Sequence, residues 1–334
     1  MKYKNKKLNA AVKFVIGIII ISVLLYTVSP AKTVKIVSDA DLTTLFLAFV
    51  TYIAILLIMA LRWKNFLGIV SNRPIGVIFS LKMTFMGLFF AEFTPGRVGD
   101  VARVYIAKLH EHIPLSKGLP MFLVERFIDI GIIALLAIIA SSIISESGLL
   151  IYGDIYLFFV IVTVVSIFSA VLIVISKPSI FQAIIGFITN KMIKRVKAFE
   201  KMDIDTSDAS QNFLASLNEL RRSKRVIIIN VFLSIAMWFL HITRIYLVSV
   251  SLGADAGFKY FLFIVPAMYL LAIIPITVGG LGVMEVGAAA LYALIGVPIE
   301  ISIAIPLVDR LLTAPFYVMV GYFLSTHEVL DRYL

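Results

Sequence analysis

Eight stretches of this chain, near residues 14–28, 42–61, 75–94, 122–144, 155–176, 226–250, 259–278 and 299–326, are almost wholly apolar. Most have the length a helix needs to cross the ~30 Å hydrocarbon layer of a bilayer. A water-soluble fold would have to bury all eight against one another, whereas in lipid a helix satisfies its own backbone hydrogen bonds. The composition agrees: 61% hydrophobic residues stand against 15% charged, where soluble domains carry about 25%. The chain therefore reads as an all-α polytopic membrane protein, with residues 1–334 forming a single integral membrane domain of about eight segments.

Charge placement sets the expected topology. The first run follows the basic "MKYKNKK", and no small-x-small cleavage site intervenes before "SPAKTVK", so an uncleaved first helix is expected. Residues 62–74 contain Arg62, Lys64 and Arg73 with no acid, and 177–225 contains ten Lys or Arg against five acids. The positive-inside rule places these basic segments and both termini in the cytoplasm, with the chain in the cell membrane. The loop 145–154, with Glu146 and Asp154 and no cation, belongs outside. A net charge of +10 explained by topology gives no reason to expect nucleic acid. The absence of cysteine excludes disulfides and thiolate metal sites.

This assignment creates a constraint. With 62–74 inside and 122–144 leaving from the inside, the chain from Ile75 to Pro120 must enter and return on one side. "TPGRVGD" (94–100) is then the turn of a hairpin dipping into the membrane. Pro95 disfavours helix at Thr94, and Gly96 and Gly99 permit a tight turn. The second half repeats the pattern. "ITVGGLGVMEV" (276–286) follows the run 259–278 as "FTPGRVGDVAR" (93–103) follows 75–94, with Thr277 lying 183 positions after Thr94. "LVERFIDIG" (123–131) matches "LVDRLLTAP" (307–315), with Asp309 lying 184 positions after Glu125. Gly279, Gly280 and Gly282 would form the second turn. Residues 42–144 thus make a first repeat and 226–326 a second, and because 42–61 runs outward to inward while 226–250 runs the other way, the two are expected to be inverted. Paired interrupted helices in inverted repeats are the pattern of transporters whose substrate site lies near the midplane.

Charges inside such a bundle face a partner, a wet cavity or a substrate. Arg97, Asp100 and Arg103 follow the first turn; Glu125, Arg126 and Asp129 begin the next span; Glu285, Asp309 and Arg310 stand in the second copy. The arginines suit a phosphate, which a guanidinium grips through two oxygens. Structural ion pairing, of Arg126 with Glu125 or Asp129 and of Arg310 with Asp309, is the alternative. His241 and Arg244, three apart in 226–250, read as a polar helix contact. In 177–225, residues 180–201 present an apolar face and a basic end, as in a helix lying on anionic lipid or packing on its neighbours. "DIDTSDAS" (203–210) lacks the glycine and glutamate a calcium loop needs and reads as a solvated linker. No motif calls for a cofactor or a metal.

"TPGRVGDVAR", "VERFIDI" and "GGLGVMEVGAAALYALIGVP", in this order, resemble the membrane region of the lysylphosphatidylglycerol synthase/flippase family, in its stand-alone form. The resemblance implies movement of lipids between leaflets and directs attention to Arg97, Gly99, Asp100, Arg103, Glu125, Arg126, Gly279, Gly280, Gly282 and Glu285. With the chain ending at Leu334, no aminoacyl transferase domain is expected. The leading expectation is a flippase for an anionic or aminoacylated phospholipid or a lipid-linked intermediate, with membrane lipids as partners and no enzymatic step. A membrane-embedded enzyme acting on lipid or polyprenyl phosphates, or an accessory subunit of a separately encoded synthase or glycosyltransferase, stand as alternatives.

Overall fold

The computed structural model describes residues 30–94, 98–146, 209–254, 256–273 and 277–330. Over these residues the chain forms helices joined by short turns: α1 (Pro30–Ser38), α2 (Leu42–Val70), α3 (Val77–Glu92), α4 (Ala102–Glu111), α5 (Leu115–Glu146), α6 (Ala209–Arg222), α7 (Lys224–Ser251), α8 (Phe258–Ile273), α9 (Val283–Leu294) and α10 (Ile299–Leu330). The first apolar run, the run 155–176, the basic stretch 180–201, residues 203–208 of "DIDTSDAS", and Pro95, Gly96 and Arg97 lie outside the described residues.

Three described stretches, Leu42–Val70, Lys224–Ser251 and Ile299–Thr326, are long and apolar enough to cross a membrane. Their outward faces carry Leu42, Phe46, Phe232, Leu311, Met319 and Phe323, all well exposed. A row of large apolar side chains on the outer surface is unfavourable in water and natural in lipid. The chain is a membrane protein.

Helix α2 begins at Asp41, whose carboxylate accepts from the amides of Thr43 (3.1 Å) and Thr44 (3.2 Å) and so satisfies two of the helix's free N–H groups. It runs antiparallel to α7. The Asp41 amide donates to the Ser251 carbonyl at one end (2.9 Å), and Arg62 reaches the Met237 sulfur further along (3.4 Å). Here the structure corrects the expected cytoplasmic loop 62–74: α2 continues to Val70, and Arg62 and Trp63 are fully buried. Arg62 lies inside because acids on another helix neutralise it, so its charge does not mark a membrane boundary. Only residues 71–76 join α2 to α3.

Helix α3 is 16 residues long, about 24 Å, short of the ~20 residues of a spanning helix, and the described part of α8 is also 16 residues. Each is followed by a turn and a shorter returning helix. The hairpins are closed at their open ends: Phe79 on α3 meets His110 on α4 with ring centroids 5.6 Å apart, and Phe261 on α8 meets Tyr292 on α9 at 5.9 Å. The packing is crossed, with α3 against α10 and α8 against α5. Helix α6 is the described end of the basic segment. Its Phe213 and Leu220 are buried in a core with α2 and α5 residues, so this part of 177–225 packs on the bundle.

Candidate functional site

The turns of the two hairpins touch. The Gly279 amide donates to the Thr94 carbonyl (3.4 Å), and Gly279 has φ 61°, a backbone conformation disfavoured for residues with a Cβ. A Cβ there would also stand 2.5 Å from the Glu92 carbonyl oxygen. In the first turn the Gly99 amide donates to the Thr94 hydroxyl (2.7 Å), and a Cβ on Gly99 would fall 2.1 Å from the Phe90 carbonyl oxygen. The second turn is braced by Glu285, which accepts from the Gly282 amide (2.7 Å).

Charged side chains gather behind each turn. In the first group, Arg103 on α4 pairs with Asp100 (2.9 Å) and Glu125 (3.2 Å), and its guanidinium stacks 4.7 Å over Trp63. Arg62 pairs with Asp129 (2.8 Å) and stands 3.8 Å from Glu125. Asp129 also accepts from the Ser234 hydroxyl on α7. Arg126 reaches Glu125 (3.3 Å), Asp100 (3.7 Å) and Asp129 (3.7 Å). In the second group, Arg244 on α7 pairs with Asp309, and Arg310 pairs with Glu285, with Glu92 (3.1 Å) and with the Gly279 carbonyl (2.8 Å). The Tyr317 hydroxyl donates to Glu92 (2.6 Å).

Between the groups lies a cavity of about 490 Å³. Arg126, Arg244 and Arg310 line it, with Glu92, Asp100, Asp129, Glu285 and Asp309 among the acids. The Arg126 side chain is 36% exposed and Arg310 19%, while Arg62, Arg103 and Glu125 are fully enclosed and stand behind the wall. The Nε groups of Arg126 and Arg244 are buried donors without a hydrogen-bond acceptor among the described residues.

The sequence-derived candidates therefore separate by position. Asp100, Arg126, Asp129, Glu285, Asp309 and Arg310 line one cavity; Arg103 and Glu125 pair with each other beside it; Arg97 lies outside the described residues. The sequence reading did not single out Glu92 or Tyr317 and took Arg62 for a loop residue. Arg62 had one usable signal: Arg244 lies 182 positions after it, close to the spacing of the other matched landmarks.

A family model described as the lysylphosphatidylglycerol synthase TM region matches residues 10–321. The chain belongs to this family. Among curated relatives, a UPF0104 membrane protein of Pyrococcus horikoshii is 26% identical over 312 residues, covering 90% of this chain and 91% of the relative. A UPF0104 membrane protein of Methanothermobacter thermautotrophicus is 25% identical over 320 residues, covering 90% and 88%. One from Methanocaldococcus jannaschii is 23% identical over 330 residues, covering 96% and 95%. In this member of the lysylphosphatidylglycerol synthase TM family, the motifs "TPGRVGD" and "GGLGVME" supply the turns that meet and "VERFID" and "LVDR" supply cavity charges.

Proposed function

We propose that the protein is a lipid translocator of the cell membrane, both termini cytoplasmic, that carries a phosphate-bearing headgroup through this cavity while the acyl chains stay in lipid. The observation that carries the reading is the shared lining of one cavity by Arg126 and Arg310, each on the long helix that follows a hairpin. Both present a guanidinium to the same space, and Arg244 lines it as well.

An inverted repeat gives this cavity its two-sidedness. Arg62 and Arg244, Asp100 and Glu285, Glu125 and Asp309, and Arg126 and Arg310 are pairs separated by 182 to 185 positions, and they occupy matching roles in the two charge groups. Antiparallel α2 and α7, and the crossed packing of α3 on α10 and α8 on α5, are what a twofold axis in the membrane plane produces. A site on that axis is related equally to both leaflets.

Purified protein in vesicles holding fluorescent phosphatidylglycerol, phosphatidylethanolamine, aminoacylated phosphatidylglycerol or a polyprenyl-phosphate sugar provides the test. Outer-leaflet fluorophores are bleached with dithionite, and a translocator exposes the protected half of at least one lipid without changing its mass. Losing one charged hydrogen bond to phosphate removes about 1.5–3 kcal/mol, or roughly 10–100-fold in affinity. Arg126→Ala and Arg310→Ala are each expected to slow movement by that order. A bleaching plateau equal to that of protein-free vesicles for every lipid would end the proposal, and a change in lipid mass would replace it with an enzyme.

A further inference from the structure

The two charge groups differ in balance. Among the described residues, Arg62, Arg103 and Arg126 face three carboxylates, Asp100, Glu125 and Asp129, so the first group is neutral. Among the same described residues Arg244 and Arg310 also face three, Glu92, Glu285 and Asp309, which leaves one negative charge in excess. The source of the imbalance is Glu92. It comes from the end of α3, in the first copy, yet it reaches across the junction of the turns to Arg310 and Tyr317 on α10.

Glu92 and Glu285 share the Arg310 guanidinium, and Glu285 is further held by the Gly282 amide as part of the second turn. Asp309 has Arg244 as its own partner. Among the described residues, the remaining charged or titratable groups facing this space are Asp100, Arg126 and Asp129 from the first hairpin and α5, His241 from α7, Tyr269 from α8 and Tyr52 from α2. His241 lies one turn from Arg244, and its Nδ1 is 2.7 Å from the Tyr269 hydroxyl.

A phosphate anion entering beside Arg310 would raise the excess to two negative charges on the same guanidinium, in surroundings where an unpaired charge costs several kcal/mol. Resting on the reading of the cavity as a phosphate site, we propose that Glu92 is a proton-binding site coupled to that phosphate, the headgroup binding with uptake of one proton and leaving with its release. The balance is simple. A solvent proton forms an O–H bond with a Glu92 carboxylate oxygen, the carboxyl becomes neutral, and Arg310 Nη2 exchanges its carboxylate partner for a phosphate oxygen. The phosphate takes over the charge that Glu92 gives up, so the cavity's total charge is unchanged. Binding linkage is reciprocal, so a lipid that draws a proton is itself bound more tightly at low pH.

The test is isothermal titration of the full-length protein with dihexanoylphosphatidylglycerol, a phosphodiester that does not itself titrate near neutrality. Buffers of different ionisation enthalpy report the protons taken up per lipid bound. Wild-type protein is expected to take up close to one proton, with Kd weakening by up to about tenfold per pH unit as pH rises. Glu92→Gln is expected to bind without uptake and without pH dependence, while Glu92→Asp keeps both. Wild-type binding with no uptake between pH 5 and 8 would overturn the coupling and leave the phosphate site standing. Uptake that survives Glu92→Gln, or that disappears instead in His241→Gln, would overturn the assignment to Glu92. Absence of any binding at every pH would remove the phosphate site itself and the coupling with it.

Discussion

At the scale of single residues, enclosure divides the charges into those that hold the bundle and those that face the cavity. Glu125 is fully buried with Arg62, Arg103 and Arg126 around it, so Glu125→Gln leaves three guanidinium groups sharing Asp100 and Asp129. Breaking a buried pair in this way costs about 3–5 kcal/mol, and the variant is expected to melt well below wild type in detergent or to aggregate during size-exclusion chromatography. The contrast is Lys32 with Glu300, 3.4 Å apart at the surface with Lys32 69% exposed. Lys32→Ala is expected to leave the melting temperature within experimental scatter, because exposed pairs are solvated and screened. If the two variants melt alike, the enclosed group is not what holds these helices together. The sequence showed Glu125, Arg126, Asp309 and Arg310 as intramembrane charges because they interrupt apolar runs. Arg62 was hidden at the end of such a run, where a buried arginine and a cytoplasmic one look the same. Glu92 was hidden because its partners, Arg310 and Tyr317, are more than two hundred positions away.

At the scale of elements, two glycines and one cap are the points most open to test. Gly99→Ala sets a Cβ against the Phe90 carbonyl, and Gly279→Ala sets one against the Glu92 carbonyl at a positive φ, so in each case backbone has to move. A loss of about 1–3 kcal/mol is expected for each, whereas Gly131→Ala on α5 meets nothing within 4 Å and is expected to be neutral or slightly stabilising. Thermal melts of the three side by side would decide it, and equal melting temperatures would mean that the turns do not need their glycines. The hairpins were legible in sequence because topology and glycine placement pointed to the same turns; the length of α2 was not, since charge was read as a boundary. At the start of α2, the Thr44 hydroxyl and then the Thr43 amide hold the Asp41 carboxyl below its ordinary value. The folded state therefore gains from the ionised form above the unfolded value, and that contribution is lost as pH falls through the folded one. Asp41→Ala is expected to melt below wild type at neutral pH and to converge with it as pH falls below the ordinary carboxylate range; a constant difference from neutral to acid pH would show that the cap's charge contributes nothing.

At the scale of the whole molecule, each hairpin begins and ends at one end of the bundle, and the two open toward opposite ends. Asn72 and Pro114, both exposed, flank the first hairpin; Asp39 and Pro298, also exposed, stand beside α2's start and after α9 at the other end of the bundle. The link between those distant segments is physical: the Asp41 amide donates to the Ser251 carbonyl at the end of α7, which leads into the second hairpin. The overall membrane class was legible from run lengths alone, and the antiparallel order of α2 and α7 followed from the charge bias of the segments around them. The crossed packing of α3 on α10 and α8 on α5 was not, because apolar helix faces in lipid carry no address for their partners. Single cysteines placed at the four exposed positions in this cysteine-free chain separate the possible arrangements, using a membrane-impermeant thiol reagent on intact cells. Positive-inside orientation places Asn72 and Pro114 in the cytoplasm, so Asp39→Cys and Pro298→Cys are expected to react in intact cells, and Asn72→Cys and Pro114→Cys only after the membrane is opened. Should Asn72→Cys and Pro114→Cys react from different sides, α3 and its returning helix would together cross the membrane, the two copies would not be inverted, and a cavity shared by Arg126 and Arg310 could not alternate between leaflets by their symmetry.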